Sequence, residues 1–263
     1  MNFIKKQKLI VLPCHSIWTP GPTLGELRDE WALASFQLDG NDHLCFKEHV
    51  IKSILELKHD NQAVLIISGG QTKEDSGPIL ESLSYFQLGS ALAPQDWEFY
   101  SDSIFLEEYA RDSFENVLFL ICRFYEIFQY YPSEITVVGF EFKRQRFIEQ
   151  HLHQALKFPR HRIHYVGNNP NPSYNNKEDR YRYFKDLDVS EARHARELFE
   201  KDWYGCHDPL LTKKTSRNPF RRSHGYSISN PSISSFLTAI ASNNELDSEE
   251  IRRAYDLPWA IEN

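Results

Sequence analysis

Four short stretches of the chain place groups capable of chemistry directly after runs of β-forming residues. Cys14, His15 and Ser16 follow residues 9–12, and Ser68, Gly69, Gly70 and Gln71 close and follow the run 63–68. Glu107, Glu108, Asp112 and Ser113 follow residues 103–106, and Glu141, Lys143, Arg144 and Arg146 follow residues 135–139. These groups suit different tasks. A carboxyl such as Glu107 or an imidazole such as His15 can take and return a proton. Glycines at a strand end let backbone N–H groups approach an anion, although an ordinary tight turn uses the same residues. Lys143, Arg144 and Arg146 open a helical pattern, where cations oppose the helix dipole. An anionic ligand would justify that placement, with solvated charge as the alternative.

Other patterns point away from particular chemistries. Cys14 and His15 are neighbours on extended chain and face opposite sides, a poor arrangement for a thiol and its base. Asp112 and Glu115 already have a helix-capping role open to them. The 11 histidines contain no HExxH pair, and His151, His153, His161 and His164 read as surface residues, so no metal site is expected. The 4 cysteines lie far apart with no CxxC pair, which predicts reduced thiols in a cytoplasmic protein.

The elements that must carry these groups are legible from periodicity. Residues 9–12, 63–68, 103–106, 135–139 and 163–166 are short apolar runs of the kind found in strands covered on both faces. Helical patterns lie between them: Phe46, Val50, Ile54 and Leu57; Ile79, Leu80, Leu83 and Phe86; Val117, Leu118, Ile121, Phe124, Tyr125 and Phe128; and Phe147, Ile148, Leu152 and Ala155. Thr23 with Glu26, and Asp112 with Glu115, read as helix starts, so two helices are expected between the first two strands. Alternation of this kind predicts an α/β fold, a three-layer Rossmann-like and mostly parallel sheet. In such a sheet ligands bind beyond the carboxyl ends of the strands, where all four polar stretches fall.

Composition bounds the class. The 263 residues, 41% hydrophobic and 25% charged, suit a folded globular chain. A net charge of −7 argues against duplex DNA as a partner. Residues 9–12, cut off by Pro13, are too short for a signal-peptide core, and residues 117–122 fall short of a membrane span. Residues 1–167 are expected to form the sheet domain, and 168–263 a C-terminal extension wrapped on it. The break at 167–176 is rich in Pro and Asn, a charged helix is expected over 190–201, and Asp247 with Glu250 marks a late helix start. Within the extension, Lys213, Lys214, Arg217, Arg221, Arg222 and His224 occur with no carboxylate between Thr212 and Tyr226. This basic segment is expected to dock on the acidic domain or to line the entrance of an anionic substrate, with RNA contact as a further alternative.

The same loops carry a family resemblance. Ile66-Ile67-Ser68-Gly69-Gly70, the helix start Leu80-Glu81-Ser82, and the segment from Glu107 through Ser113 and Glu115 to Asn116 resemble the YdcF-like family. This is a domain of unknown function shared by the bacterial YdcF, SanA and ElyC proteins. After the fourth strand the bacterial pattern ends in a His and an Arg three apart; Lys143 occupies the His place and Arg146 matches the Arg. The fungal branch is similar more widely, through Pro13-Cys14-His15, Asp29-Glu30-Trp31, Phe140-Glu141-Phe142-Lys143-Arg144, Tyr204-Gly205-Cys206, Arg217-Asn218-Pro219-Phe220 and Leu257-Pro258-Trp259.

The resemblance implies a Rossmann-like fold with a polar site at the strand ends, and a bacterial relative's association with S-adenosylmethionine makes that cofactor a candidate. The expected function is an enzyme, a transferase or hydrolase, acting on an anionic or nucleotide-like small molecule. Glu107 and His15 are the expected catalytic residues. Ser68, Gly69, Gly70, Glu81, Ser113, Asn116, Lys143 and Arg146 are the expected ligand-binding set. A non-catalytic ligand-binding or scaffolding protein is the alternative.

Overall fold

The computed structural model of the chain describes residues 5–241 and 246–260; the remaining residues of the two expected segments lie outside the described residues. Five strands, β1 (Lys8–Pro13), β2 (Ala63–Ser68), β3 (Ile104–Glu107), β4 (Glu134–Phe140) and β5 (Ile163–Asn168), form one sheet in the order β3-β2-β1-β4-β5. Every pairing is parallel. The chain runs outward from β1 to β3, then crosses back to β4 on the other side of β1. The switch point of the sheet is therefore the gap between the ends of β1 and β4, where a ligand crevice is expected.

Alternate residues of each strand feed two cores, as a strand buried on both faces requires. Ile10, Leu12, Leu65 and Ile67 pack with Phe46, Val50, Ile54 and Leu57 of helix α1 (Asp42–His59), and with Tyr85 and Leu88 of α2 (Glu81–Leu92). Trp97, from the short α3 (Pro94–Phe99), completes that layer. Leu9, Val11, Val64, Ile66 and Val137 pack on the opposite face. There they meet α4 (Ser113–Phe128) and a π-wound helix, Arg146–Ala155, which contributes Phe147, Ile148 and Leu152.

The extension joins this second core. A helical rod begins as α5 (Lys177–Glu191), passes through one π-wound turn, Ala192–Arg196, and ends as α6 (Glu197–Lys201). It is followed by α7 (Leu210–Ser216), α8 (Tyr226–Ser229), α9 (Ser234–Ala239) and α10 (Ser248–Ala254). Phe199, Tyr204, Tyr226, Phe236, Ile251 and Trp259 are buried among α4 and sheet residues. Polar anchors fix the docking: the Trp259 indole donates to the Leu156 carbonyl at 2.6 Å, and Asn230 donates to the Cys122 carbonyl at 3.3 Å. The start at Asp247 is a full capping box with Glu250.

Three sequence expectations are corrected. No helix begins at Thr23: the backbone N–H groups of Thr23 and Gly25 donate instead to the Glu30 carboxylate, and Gly25 sits at φ +85°, outside the helical region. The segment between β1 and α1 holds only the short turns Arg28–Glu30 and Ser35–Gln37. In α2 the inner face is Ser82, Ser84, Tyr85, Leu88 and Gly89, while Ile79 and Leu83 are exposed. The helix expected over 190–201 starts earlier, at Lys177, after an Asn176 cap that accepts from the Asp179 N–H.

Candidate functional site

At the ends of β2 and β3 the register sets Ser68 opposite Glu107. The Ser68 hydroxyl lies 2.7 Å from Glu107 Oε2 and 2.8 Å from Asn116 Oδ1, an α4 group. Glu107 is fully buried and also accepts from the N–H groups of Tyr109 (2.8 Å) and Ala110 (3.2 Å) and from the Tyr226 hydroxyl (3.2 Å). Burial pushes its carboxyl up to about 7, against the pull of these donors. The geometry accounts for a proton held there. A hydroxyl has one hydrogen for two acceptors, so a protonated Glu107 can donate to Ser68 while Ser68 donates to Asn116. This knot ties two strands, α4 and α8 together, and it places Glu107 inside the fold.

The glycine turn beside it is also committed. Gly69 N–H donates to the Glu107 carbonyl at 3.2 Å and Gly70 N–H to the Ala110 carbonyl at 3.0 Å, so both have acceptors within the protein. Their carbonyls receive the first N–H groups of α2, from Ser82 and Glu81. A Cβ on Gly69 would lie 2.8 Å from that of Glu81 and 2.9 Å from that of Cys14, so close approach explains the glycine. Glu81 is buried, accepts from the Thr72 hydroxyl, and has its carboxyl pushed up by burial.

A second group of polar side chains lies at the switch point. His15, just past β1, stacks on Phe140 at 5.3 Å between centroids and lies beside Phe46 and His49; its Nε2 is buried with no hydrogen-bond partner among the described residues. Burial, then the charges of Lys143, Arg146 and Arg217, holds its imidazole neutral, well below the usual range. Lys143 sits 4.9 Å from the Phe140 ring centroid and 5.5 Å from that of Phe142. It makes no ion pair with a carboxylate among the described residues; burial and the positive charge of Arg146 depress it to about 8, with Glu191 and Asp42 opposing. Arg146 is buried and pairs with Glu191 at 3.2 Å. Arg144 turns away, to Glu141.

A third cation comes from the extension. Arg217, just after α7, donates to the Arg111 carbonyl at 3.0 Å, and its charge acts on His15, Lys143, Arg146, Lys73 and Asp112 alike. Its segment is anchored by Lys214, which is buried 3.8 Å from Asp112 and 3.7 Å from Glu115. Arg222 pairs with Glu108 at 3.3 Å. The basic segment thus docks on the acidic turn after β3 and sends Arg217 to the strand ends.

Ser113, the first residue of α4, has its hydroxyl 2.8 Å from Nε2 of His151. His151, expected on the surface, is instead fully buried, among Phe114, Phe147 and Phe199. Its position four residues after Phe147 and four before Ala155, on the apolar stripe of that helix, is the signal that could have placed it. Lys73 and Asp42, also near the cation cluster, carry no comparable signal. A cavity of about 330 Å³ lies elsewhere, between α4 and the extension, and none of residues 14–16, 68–71 or 141–146 lines it. Among the described residues no His/Cys/Asp/Glu group suits a metal ion, and no helix is long and apolar enough to cross a membrane.

Comparison with known proteins finds an extended similarity to the uncharacterised protein YOR238W of Saccharomyces cerevisiae, 37% identical over 264 residues, spanning 84% of this chain and 87% of that protein. No family model matches the chain, and no solved structure matches it significantly.

Proposed function

We propose, on the premise that this chain belongs to the same family as the uncharacterised yeast protein YOR238W, that it binds an anionic, nucleotide-like or phosphorylated small molecule in the crevice between β1 and β4. One observation carries this reading. The charges of Lys143 and Arg146, after β4, and of Arg217, from the extension, act together on His15 at the end of β1; Arg146 is paired with Glu191, while Lys143 makes no ion pair with a carboxylate among the described residues. Cations gathered against their mutual repulsion are offset most simply by an anion between them. The unpartnered Nε2 of His15 at the same place offers a contact to the uncharged part of the ligand. S-adenosylmethionine is one candidate, on the resemblance to YdcF-like proteins, and a transferase or hydrolase reaction is the corresponding activity. Four free, buried cysteines fit a reducing, cytoplasmic setting.

Binding without turnover is the second reading. It is favoured by Glu107, the expected proton carrier, being occupied by donors from its own chain. Calorimetric titration of S-adenosylmethionine, nucleoside phosphates and sugar phosphates tests the first claim. Saturable binding that Lys143→Ala weakens tenfold or more supports it, since a charged hydrogen bond is worth about 1.5–3 kcal/mol. No binding across the panel overturns it.

A further inference from the structure

We infer that Ser113 is a nucleophile, with His151 as its general base, and that together they cleave a phosphate monoester held in the crevice. The substrate class rests on the anion-binding reading above; the nucleophile and base rest on their own geometry. Ser113, a half-buried residue at the start of α4, has its hydroxyl 2.8 Å from Nε2 of a fully buried imidazole. A serine hydroxyl hydrogen-bonded to a neutral imidazole is the pairing that activates serine.

The imidazole is held in place by rings: Phe199 lies edge-on at 4.5 Å between centroids, with Phe147 at 5.7 Å and Phe114 at 5.8 Å. Its Nδ1 has no partner among the described residues, so packing does the work that a third hydrogen-bonding group does in a triad. Burial and the charge of Arg146 hold His151 neutral, well below the usual histidine range, so its Nε2 lone pair is free, and a phosphate dianion set against Arg146 would offset the charge that opposes proton uptake. Arg146 opens the helix that carries His151, and its charge and that of Arg217 act on Asp112, the residue next to Ser113. The first-turn N–H groups of Ser113 and Phe114 have no acceptor within their helix and face the same end of it.

The step balances within these groups and water. Ser113 Oγ attacks phosphorus, the P–Oγ bond forms as the bond to the ester oxygen breaks, and the hydroxyl proton passes to His151 Nε2. The alkoxide leaves in line, on the side of phosphorus away from Ser113, and takes a proton from water there while His151 releases its proton to water, giving a free alcohol and a phosphoserine. Water then attacks the phosphoserine, its proton again passing through His151, and inorganic phosphate and Ser113 are released.

The test uses the full chain and a fluorophosphonate, whose P–F bond is broken by a reactive serine with loss of fluoride. Mass mapping is expected to find the adduct on Ser113, none in Ser113→Ala, and at least tenfold slower labelling in His151→Gln, with folding of both variants checked by circular dichroism. No adduct on Ser113 in the folded chain overturns the inference, as does labelling of His151→Gln at the wild-type rate. Pyrophosphate titration separates this from the binding reading. Labelled Ser113 in a chain that binds pyrophosphate supports the phosphate-ester assignment, and labelled Ser113 in a chain that binds no pyrophosphate overturns it.

Discussion

Ser68 and Glu107 stand opposite each other at the carboxyl ends of neighbouring parallel strands, with the hydroxyl 2.7 Å from the carboxylate. Both lie at the position where an α/β fold keeps its chemistry, yet they are joined to Asn116 and Tyr226 as part of the frame. The groups proposed to meet a ligand are their neighbours: His15 and Lys143 at the switch point, and Ser113 at the start of α4.

The buried carboxyl has a pH signature. Folded Glu107 keeps its proton up to about 7, whereas the unfolded chain releases it near 4.5. The folded state therefore binds more protons in that window, and stability from this group is greatest below 4.5 and falls as pH rises toward 7. His49 has the opposite sign. It is held down to about 3 by burial against an ordinary 6.5, so its contribution is present above 6.5 and lost as pH falls. Comparison with Glu107→Gln isolates the first effect. Urea unfolding is expected to find the variant less stable at low pH and the gap narrowing by on the order of 3 kcal/mol between the two pH limits.

Lys214 is the buried cation that docks the extension. Replacing it with Met leaves Asp112 and Glu115 without it in the interior, and a loss of about 3–5 kcal/mol is expected from denaturant midpoints. Arg222→Ala, at a more exposed pair with Glu108, is expected to cost about 1 kcal/mol or less.

Gly69→Ala tests the close packing at the end of β2. A methyl there meets Cys14 and Glu81 within 3 Å, so a destabilisation of about 1–3 kcal/mol is expected in the thermal midpoint.

The thiols are expected to be inert. Burial raises all four, Cys45 and Cys206 to about 12 and Cys14 and Cys122 well above their usual range. A thiol-exchange reagent is expected to react slowly with the native chain and with 4 equivalents after denaturation.

Much of this was legible in the sequence, for identifiable reasons. Strands buried on both faces leave continuous apolar runs, so the run at 63–68 coincides with β2. The Asp112 cap was readable because its partner, the Glu115 N–H, is local. Thr23 misled because a distant acceptor, Glu30, captured the N–H groups that a helix start would use. Within the site, Lys143 and Arg146 could be named from their place after β4, but Arg217 reaches them only through the docking of the extension. No local pattern encodes that docking, and none tells a carboxyl facing a ligand from one facing Ser68 and Tyr226.

Calorimetric titration of inorganic pyrophosphate at two pH values decides whether Lys143, Arg146 and Arg217 hold an anion. Lys143 loses its proton near about 8, so a cation present below that pH is missing above it. Saturable binding is expected at about pH 7, weaker binding at about pH 9, and a loss of tenfold or more in both Lys143→Ala and Arg217→Ala. No binding at about pH 7, or binding that neither substitution changes, would contradict it.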